Sequence, residues 1–93
     1  MRLTAEEVET IRDTVSSNDP CAKVFLFGSR VDDSARGGDI DLLVESATLD
    51  AAGQRDLRDR LFHQLGGQKV DLFVTSDYSE PFARIAKRKG VRL

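Results

Sequence analysis

The residues with the strongest claim to chemistry are three aspartates set into apolar runs. Asp39 and Asp41 lie in Gly38-Asp39-Ile40-Asp41-Leu42-Leu43-Val44, and Asp71 lies in Val70-Asp71-Leu72-Phe73-Val74. A β-strand alternates its side chains, so Asp39 and Asp41 share one face while Ile40, Leu42 and Val44 take the core face. Asp71 opposes Val70, Leu72 and Val74 in the same way, so all three acids are expected to face a cleft or solvent. Two strand rises separate the α-carbons of Asp39 and Asp41 by about 6.6 Å. At an effective dielectric of about 20, carboxylates at that distance repel by roughly 2–3 kcal/mol. A divalent cation between them reverses the sign of that interaction. Hard oxygen donors with room for retained water suit Mg²⁺, which often shares its shell with substrate phosphates. If the two strands are neighbours, three carboxylates converge and meet the ligand need of a two-metal site for phosphoryl or nucleotidyl transfer. The plain alternative is that these are solvent-facing acids on half-exposed strands.

A second group of residues changes the weighting. Val24-Phe25-Leu26-Phe27 is an apolar run closed by Gly28-Ser29-Arg30. Glycine lets the backbone approach a ligand closely. Backbone N–H groups in such a turn can cradle a phosphate, and the Ser29 hydroxyl adds a donor. Arg30 could grip phosphate oxygens through two parallel hydrogen bonds. The order strand, Gly-Ser, loop, strand with Asp-x-Asp therefore sets phosphate donors beside metal ligands.

The elements that must position these residues can be read along the chain. Thr4-Ala5-Glu6-Glu7 is a capping box. Val8, Ile11 and Val15 follow on one helical stripe, which Ser16-Ser17-Asn18-Asp19-Pro20 ends. Val24–Phe27, Asp39–Glu45 and Lys69–Val74 read as strands. Arg30–Gly38 reads as a loop, with room for a short helical turn. Asp50 can cap a helix in which Leu57, Leu61, Phe62 and Leu65 share a face and Gly66-Gly67 is the stop. Ser79-Glu80-Pro81 opens a last helix, in which Phe82, Ile85 and Ala86 are expected to face inward and which Gly90 closes. The order predicts an α/β fold, a small mixed sheet of three or more strands packed with helices.

Composition narrows the class. The 93 residues fit one domain, 1–93. Lys and Arg (14) nearly balance Asp and Glu (16), and a net charge of -2 exerts no global pull on nucleic acid or an anionic membrane. One cysteine, Cys21, gives no internal disulfide and suits a reducing compartment. No apolar run has membrane-spanning length. The expectation is a small soluble cytoplasmic protein. The basic residues Arg84, Lys87, Arg88, Lys89 and Arg92 read as a solvated face at a helix C-terminus. His63 reads as a partly exposed helix residue, and Tyr78 as a loop anchor.

The motifs Phe27-Gly28-Ser29-Arg30, Gly38-Asp39-Ile40-Asp41-Leu42-Leu43-Val44 and Val70-Asp71-Leu72 together resemble those of the minimal nucleotidyltransferases of the DNA polymerase beta-like superfamily. The resemblance covers roughly residues 22–75. It implies the palm-like nucleotidyltransferase fold, a nucleoside triphosphate donor (usually ATP), two Mg²⁺ ions, and transfer of a nucleoside monophosphate to an acceptor hydroxyl. It implies that Gly28 and Ser29 hold the distal phosphates, that Asp39 and Asp41 bind metal, and that Asp71 binds the catalytic metal and helps activate the acceptor. The Ser29–Asp39 spacer is about one residue shorter than the commonest family form. Arg36-Gly37-Gly38 abuts Asp39, where the family often has Arg-Gly soon after Gly-Ser. By the same resemblance, the partner is a helical HEPN-type protein, with this chain the antitoxin of a toxin–antitoxin pair. The competing expectation is a non-catalytic module that neutralises such a partner by covering it. Self-association through an exposed sheet edge is also compatible with the sequence.

Overall fold

The computed structural model describes residues 1–32 and 38–93. Its elements run α1 (Ala5–Asn18), β1 (Lys23–Phe27), a single 3-10 turn (Gly28–Val31), β2 (Ile40–Glu45), α2 (Ala51–Gln64), β3 (Val70–Thr75), α3 (Pro81–Lys89) and β4 (Val91–Arg92). The expected loop from Arg30 to Gly38, including Arg36-Gly37, lies largely outside the described residues.

The helices start where their caps allow. At α1 the Glu7 amide donates to Thr4 Oγ1 (3.0 Å), and the Thr4 amide donates to Glu7 Oε1 (2.9 Å). This reciprocal pair satisfies two donors that a helix start otherwise leaves orphaned. At α2 the Gly53 amide donates to Asp50 Oδ1 (2.7 Å). Proline occupies the start of α3, where a missing N–H costs nothing.

The sheet is mixed, with strand order β3-β2-β1-β4. β1 runs antiparallel to both β2 and β4, and β2 runs parallel to β3. A parallel neighbour requires a crossover, and α2 supplies it. β4 was not expected; its two residues, Val91 and Arg92, are too few to show a period, yet they pair with Leu26 and Phe25.

Strand alternation divides the side chains into two packed layers. Val24 and Leu26, then Ile40, Leu42 and Val44, then Val70, pack with Ile11, Val15, Leu57, Leu61 and Leu65 from α1 and α2. The opposite layer holds Phe25 and Leu43 against Ala83 and Ala86 of α3, with Phe27, Phe73 and Tyr78 at its margin. The aspartates therefore share a face with a second apolar cluster and do not simply face solvent.

Two helical stripes differ from expectation. In α2, Leu57, Leu61 and Leu65 are buried, but Phe62 is 42% exposed, because the inward stripe follows i, i+4, i+8 and Phe62 lies beside it. In α3 the buried residues are Ala83 and Ala86, while Phe82 and Ile85 are 50% and 45% exposed. Small residues let α3 lie close on the sheet and leave its larger side chains half exposed. Nor is the basic end of α3 wholly solvated. Lys87 Nζ sits 3.7 Å from Glu45 Oε1 and lies over the rings of Tyr78 (4.6 Å) and Phe25 (5.6 Å). Tyr78 is an anchor: its amide donates to Thr75 Oγ1 (3.0 Å), its carbonyl accepts from Arg84 Nη1 (2.8 Å), and its hydroxyl is buried. No helix among the described residues is long and apolar enough to cross a membrane.

Candidate active site

The parallel register of β2 and β3 pairs Asp41 with Asp71, and the antiparallel register of β1 and β2 pairs Phe27 with Asp41. Phe27, Asp41 and Asp71 thus form one row across three strands, on the face that α3 covers farther along. Asp39 lies just before β2, one step outside the row. Facing Asp39 is Lys69, whose carbonyl accepts from the Ile40 amide (3.1 Å). The Lys69 ammonium stands 3.4 Å from Asp39 Oδ2 and 4.0 Å from Asp71 Oδ1. Register therefore brings Asp41 and Asp71 side by side, and Lys69 links Asp39 to Asp71.

The electrostatics follow from this geometry. Asp41 has its pKa raised, first by burial, then by the charge of Asp71 and its hydrogen-bond contact, then by Asp39; Lys69 offsets part of this. Burial disfavours the charged form, and like charges nearby act in the same direction. Asp41 is thus an inner carboxylate that lacks sufficient positive charge of its own.

The Gly28-Ser29 turn lies against it. Gly28 has φ +76, and a Cβ at this position would strike Asp41 Oδ2. Only glycine lets the turn and the carboxylate come this close without strain. Gly38 (φ +89) meets the turn from the other side, where a Cβ would strike Ser29 Oγ. Ser29 is thereby brought against Gly38, the residue before Asp39.

Arg30 is engaged within the protein. Its Nη1 donates to the Arg2 carbonyl (3.0 Å), Nη2 to Gln68 Oε1 (3.1 Å), and Nε to the Gly38 carbonyl (3.3 Å). Gln68 Nε2 in turn donates to Glu7 Oε2 (2.7 Å), and Arg2 Nη2 to the Ser29 carbonyl (3.1 Å). This network ties the Gly-Ser turn to the chain start and to the α2–β3 connection. The phosphate grip expected of Arg30 would require it to release these acceptors.

Beside the carboxylate pair is a cavity of about 280 Å³, lined by Asp41 and Asp71, by Phe27, Phe73 and Phe82, and by Arg58 among others. The Phe82 ring meets Phe27 and Phe73 edge-on, with centroids 5.5 and 5.1 Å away. Three aromatic rings thus wall one side of the acids.

The family whose sequence model matches the chain is described as "Polymerase beta, Nucleotidyltransferase", and the match spans residues 9–93. The chain belongs to this family. No curated protein matches it. The nucleotidyltransferase assignment accords with the mixed four-stranded sheet and three helices. Family members act on nucleoside triphosphates with divalent metal. Among the described residues, no three acidic, histidine or cysteine side chains are already gathered as a metal site. The donors of this family member nevertheless fit a divalent cation. All are carboxylate oxygens, Asp41 and Asp71 are adjacent, and an ammonium already lies where positive charge is needed.

Lys69 and Phe82 are the site residues that sequence reading missed. Lys69 stands two residues before Asp71, so strand alternation alone puts both on one face. For Phe82 the helical stripe predicts a core position, whereas the ring is half exposed and meets the sheet only at its edge, beside the acids.

Proposed function

We propose that the chain is a Mg²⁺-dependent nucleotidyltransferase that moves a nucleoside monophosphate, AMP from ATP in the leading case, onto a hydroxyl of a protein or small molecule. The reading rests on one observation above the others: Asp41 and Asp71 are register partners on parallel strands, with the Gly28-Ser29 turn against Asp41. Asp39, Asp41 and Asp71 would hold two Mg²⁺ ions, which when bound supply charge neutralisation to the triphosphate and polarise the phosphorus under attack.

The protein's own groups do the rest. The Gly28-Ser29 backbone and the Ser29 hydroxyl bind the distal phosphates. Arg2, Arg30 and Gln68 hold that turn in place, so Arg30 is a positioning residue in this reading. Asp41, inner and uncompensated, gains most from a bound cation. Asp71 is more exposed and lies on the edge strand, so it faces the acceptor and can take the proton of its hydroxyl. The aromatic rings Phe27, Phe73 and Phe82 line the site on the side of α3.

The acceptor is proposed to be a helical HEPN-type protein, with this chain as its antitoxin; on α3, exposed Phe82 lines the cavity, Ile85 is exposed on the same helix, and both would meet such a partner. The same exposed residues favour a second reading, in which binding alone neutralises the partner.

Incubation with α-labelled ATP, Mg²⁺ and the product of the neighbouring gene separates the two. Label on the partner that disappears in Asp41→Ala supports transfer. Neutralisation of the partner that persists in Asp41→Ala, with no label in the wild type, sinks the catalytic reading.

A further inference from the structure

Lys69 has an arrangement that the proposed chemistry does not explain. Its ammonium spans Asp39 and Asp71, the outer two of three carboxylates, at 3.4 and 4.0 Å. It therefore sits where a divalent cation would bring its own charge. The side chain is 71% exposed, while its backbone is pinned by the hydrogen bond from Ile40 and by buried Val70 next to it. Beside it opens a recess of about 300 Å³ lined by Arg58, Asp59, Phe62, Lys69, Val70 and Asp71. A fixed base, a flexible four-carbon stem and free space beside it are what a movable charge requires. Exposed ion pairs of this kind are weak, so a cation can displace the ammonium at little cost.

We propose that Lys69 is a displaceable counter-ion of the carboxylate site. Its ammonium holds Asp39 and Asp71 in the unloaded protein and competes with the incoming divalent cation. Once displaced, it turns to the phosphates of the bound nucleotide, where an ammonium is a strong point-charge partner. This inference rests on the metal-binding reading of the three aspartates.

Titration of the full chain with Mn²⁺ alone, followed by electron paramagnetic resonance, tests the first half. Lys69→Met is expected to bind Mn²⁺ about two- to fivefold more tightly than wild type, the scale of an exposed charge interaction removed. Lys69→Arg should stay near wild type. Lys23→Met, which removes a lysine that pairs instead with Glu45, should change nothing. A non-hydrolysable ATP analogue with saturating Mg²⁺ tests the second half, and Lys69→Met should bind it at least about threefold more weakly. Circular dichroism confirms that each variant is folded. If Asp41→Asn abolishes Mn²⁺ uptake but Lys69→Met leaves it unchanged or weaker, the counter-ion inference falls and the metal site stands. If neither wild type nor Lys69→Met takes up Mn²⁺, both fall. Tighter Mn²⁺ with unchanged analogue binding overturns the phosphate half.

Discussion

The two faces of the sheet are built from the same three strands and solve opposite problems. Toward α1 and α2 the strands present Val24, Leu26, Ile40, Leu42, Val44 and Val70, all aliphatic and all buried. Toward α3 they present Phe25, Leu43 and Phe73 along part of their length, and then the row Phe27, Asp41, Asp71. The first face removes apolar surface from water and carries the stability. The second gives up that burial at one end, where α3 stops short and carboxylates replace hydrophobes. Sites place charge where folding alone would not, and the neighbouring face must hold the structure meanwhile.

The comparison breaks most clearly at Asp41. On the proposed reading, Asp41→Ala should lower nucleotidyl transfer by about 10³-fold or more, since it would remove an inner ligand of the charge-stabilising centre. Its thermal midpoint, measured in chelator, should hold or rise, because a partly buried and repelled carboxylate is lost. A fall in the midpoint comparable to that of a core deletion would mean that the acid face also carries the fold.

Core truncation supplies the converse. Leu61→Ala on the aliphatic face should cost about 2–5 kcal/mol in denaturant unfolding, the range for a fully buried leucine. Phe82→Ala should cost about 1 kcal/mol or less, because the ring is half exposed and loses mainly two edge-on contacts. Its effect should appear instead as weaker substrate or partner binding. Equal costs for the two variants would dissolve the distinction between the faces.

Gly28→Ala probes the seam between the faces. Positive φ strains any side chain there by roughly 1–2 kcal/mol, and the new methyl must displace Asp41 Oδ2. We expect a loss of stability of that order and an activity about 10²-fold lower, the usual consequence of misplacing a reacting group by about 1 Å. Activity retained within about twofold would mean that the turn is not part of the site.

The division between the faces was legible in the sequence because alternation is a local rule. Ile40-Asp41-Leu42 and Val70-Asp71-Leu72 announce their sides without further information, and the capping residues Thr4, Glu7 and Asp50 locate the helix starts. The alternation does not say which strands are neighbours, and the Asp41–Asp71 pairing depends on a parallel register set by α2. Nor does it say what α3 packs against. Of the expected inward residues Phe82, Ile85 and Ala86, Ala86 is buried, but close packing on Leu43 buries Ala83 with it and leaves Phe82 and Ile85 half exposed. That Arg30 is held within the protein could not be read locally, because its acceptors at Arg2 and Gln68 lie far away in sequence. Long-range hydrogen bonds leave no periodic trace.

The subtlest difference between the faces concerns the sign of a pH effect. Asp19 caps the end of α1 beside the β2 terminus and is buried among donors. It accepts from Ser46 Oγ (2.5 Å), Thr48 Oγ1 (3.1 Å) and the Cys21 amide (3.0 Å). These bonds, that from Ser46 foremost, lower its pKa. A carboxyl lowered in the folded state releases its proton more readily there than in the unfolded chain. Its contribution to stability is therefore complete above the ordinary aspartate pKa and is lost as pH falls through the folded value. Asp41 is raised instead, by burial and then by Asp71. The folded state holds that proton more tightly, so stability declines as pH rises from the ordinary aspartate pKa through the folded value. In chelator, Asp19→Asn should therefore narrow the stability gap to wild type toward acid pH, with the variant less stable near neutrality. Asp41→Asn should be the more stable protein near neutrality and lose that advantage at acid pH. Unfolding curves at a series of pH values read both slopes, and slopes of the same sign would show that the two carboxylates do not have the opposite surroundings described for them.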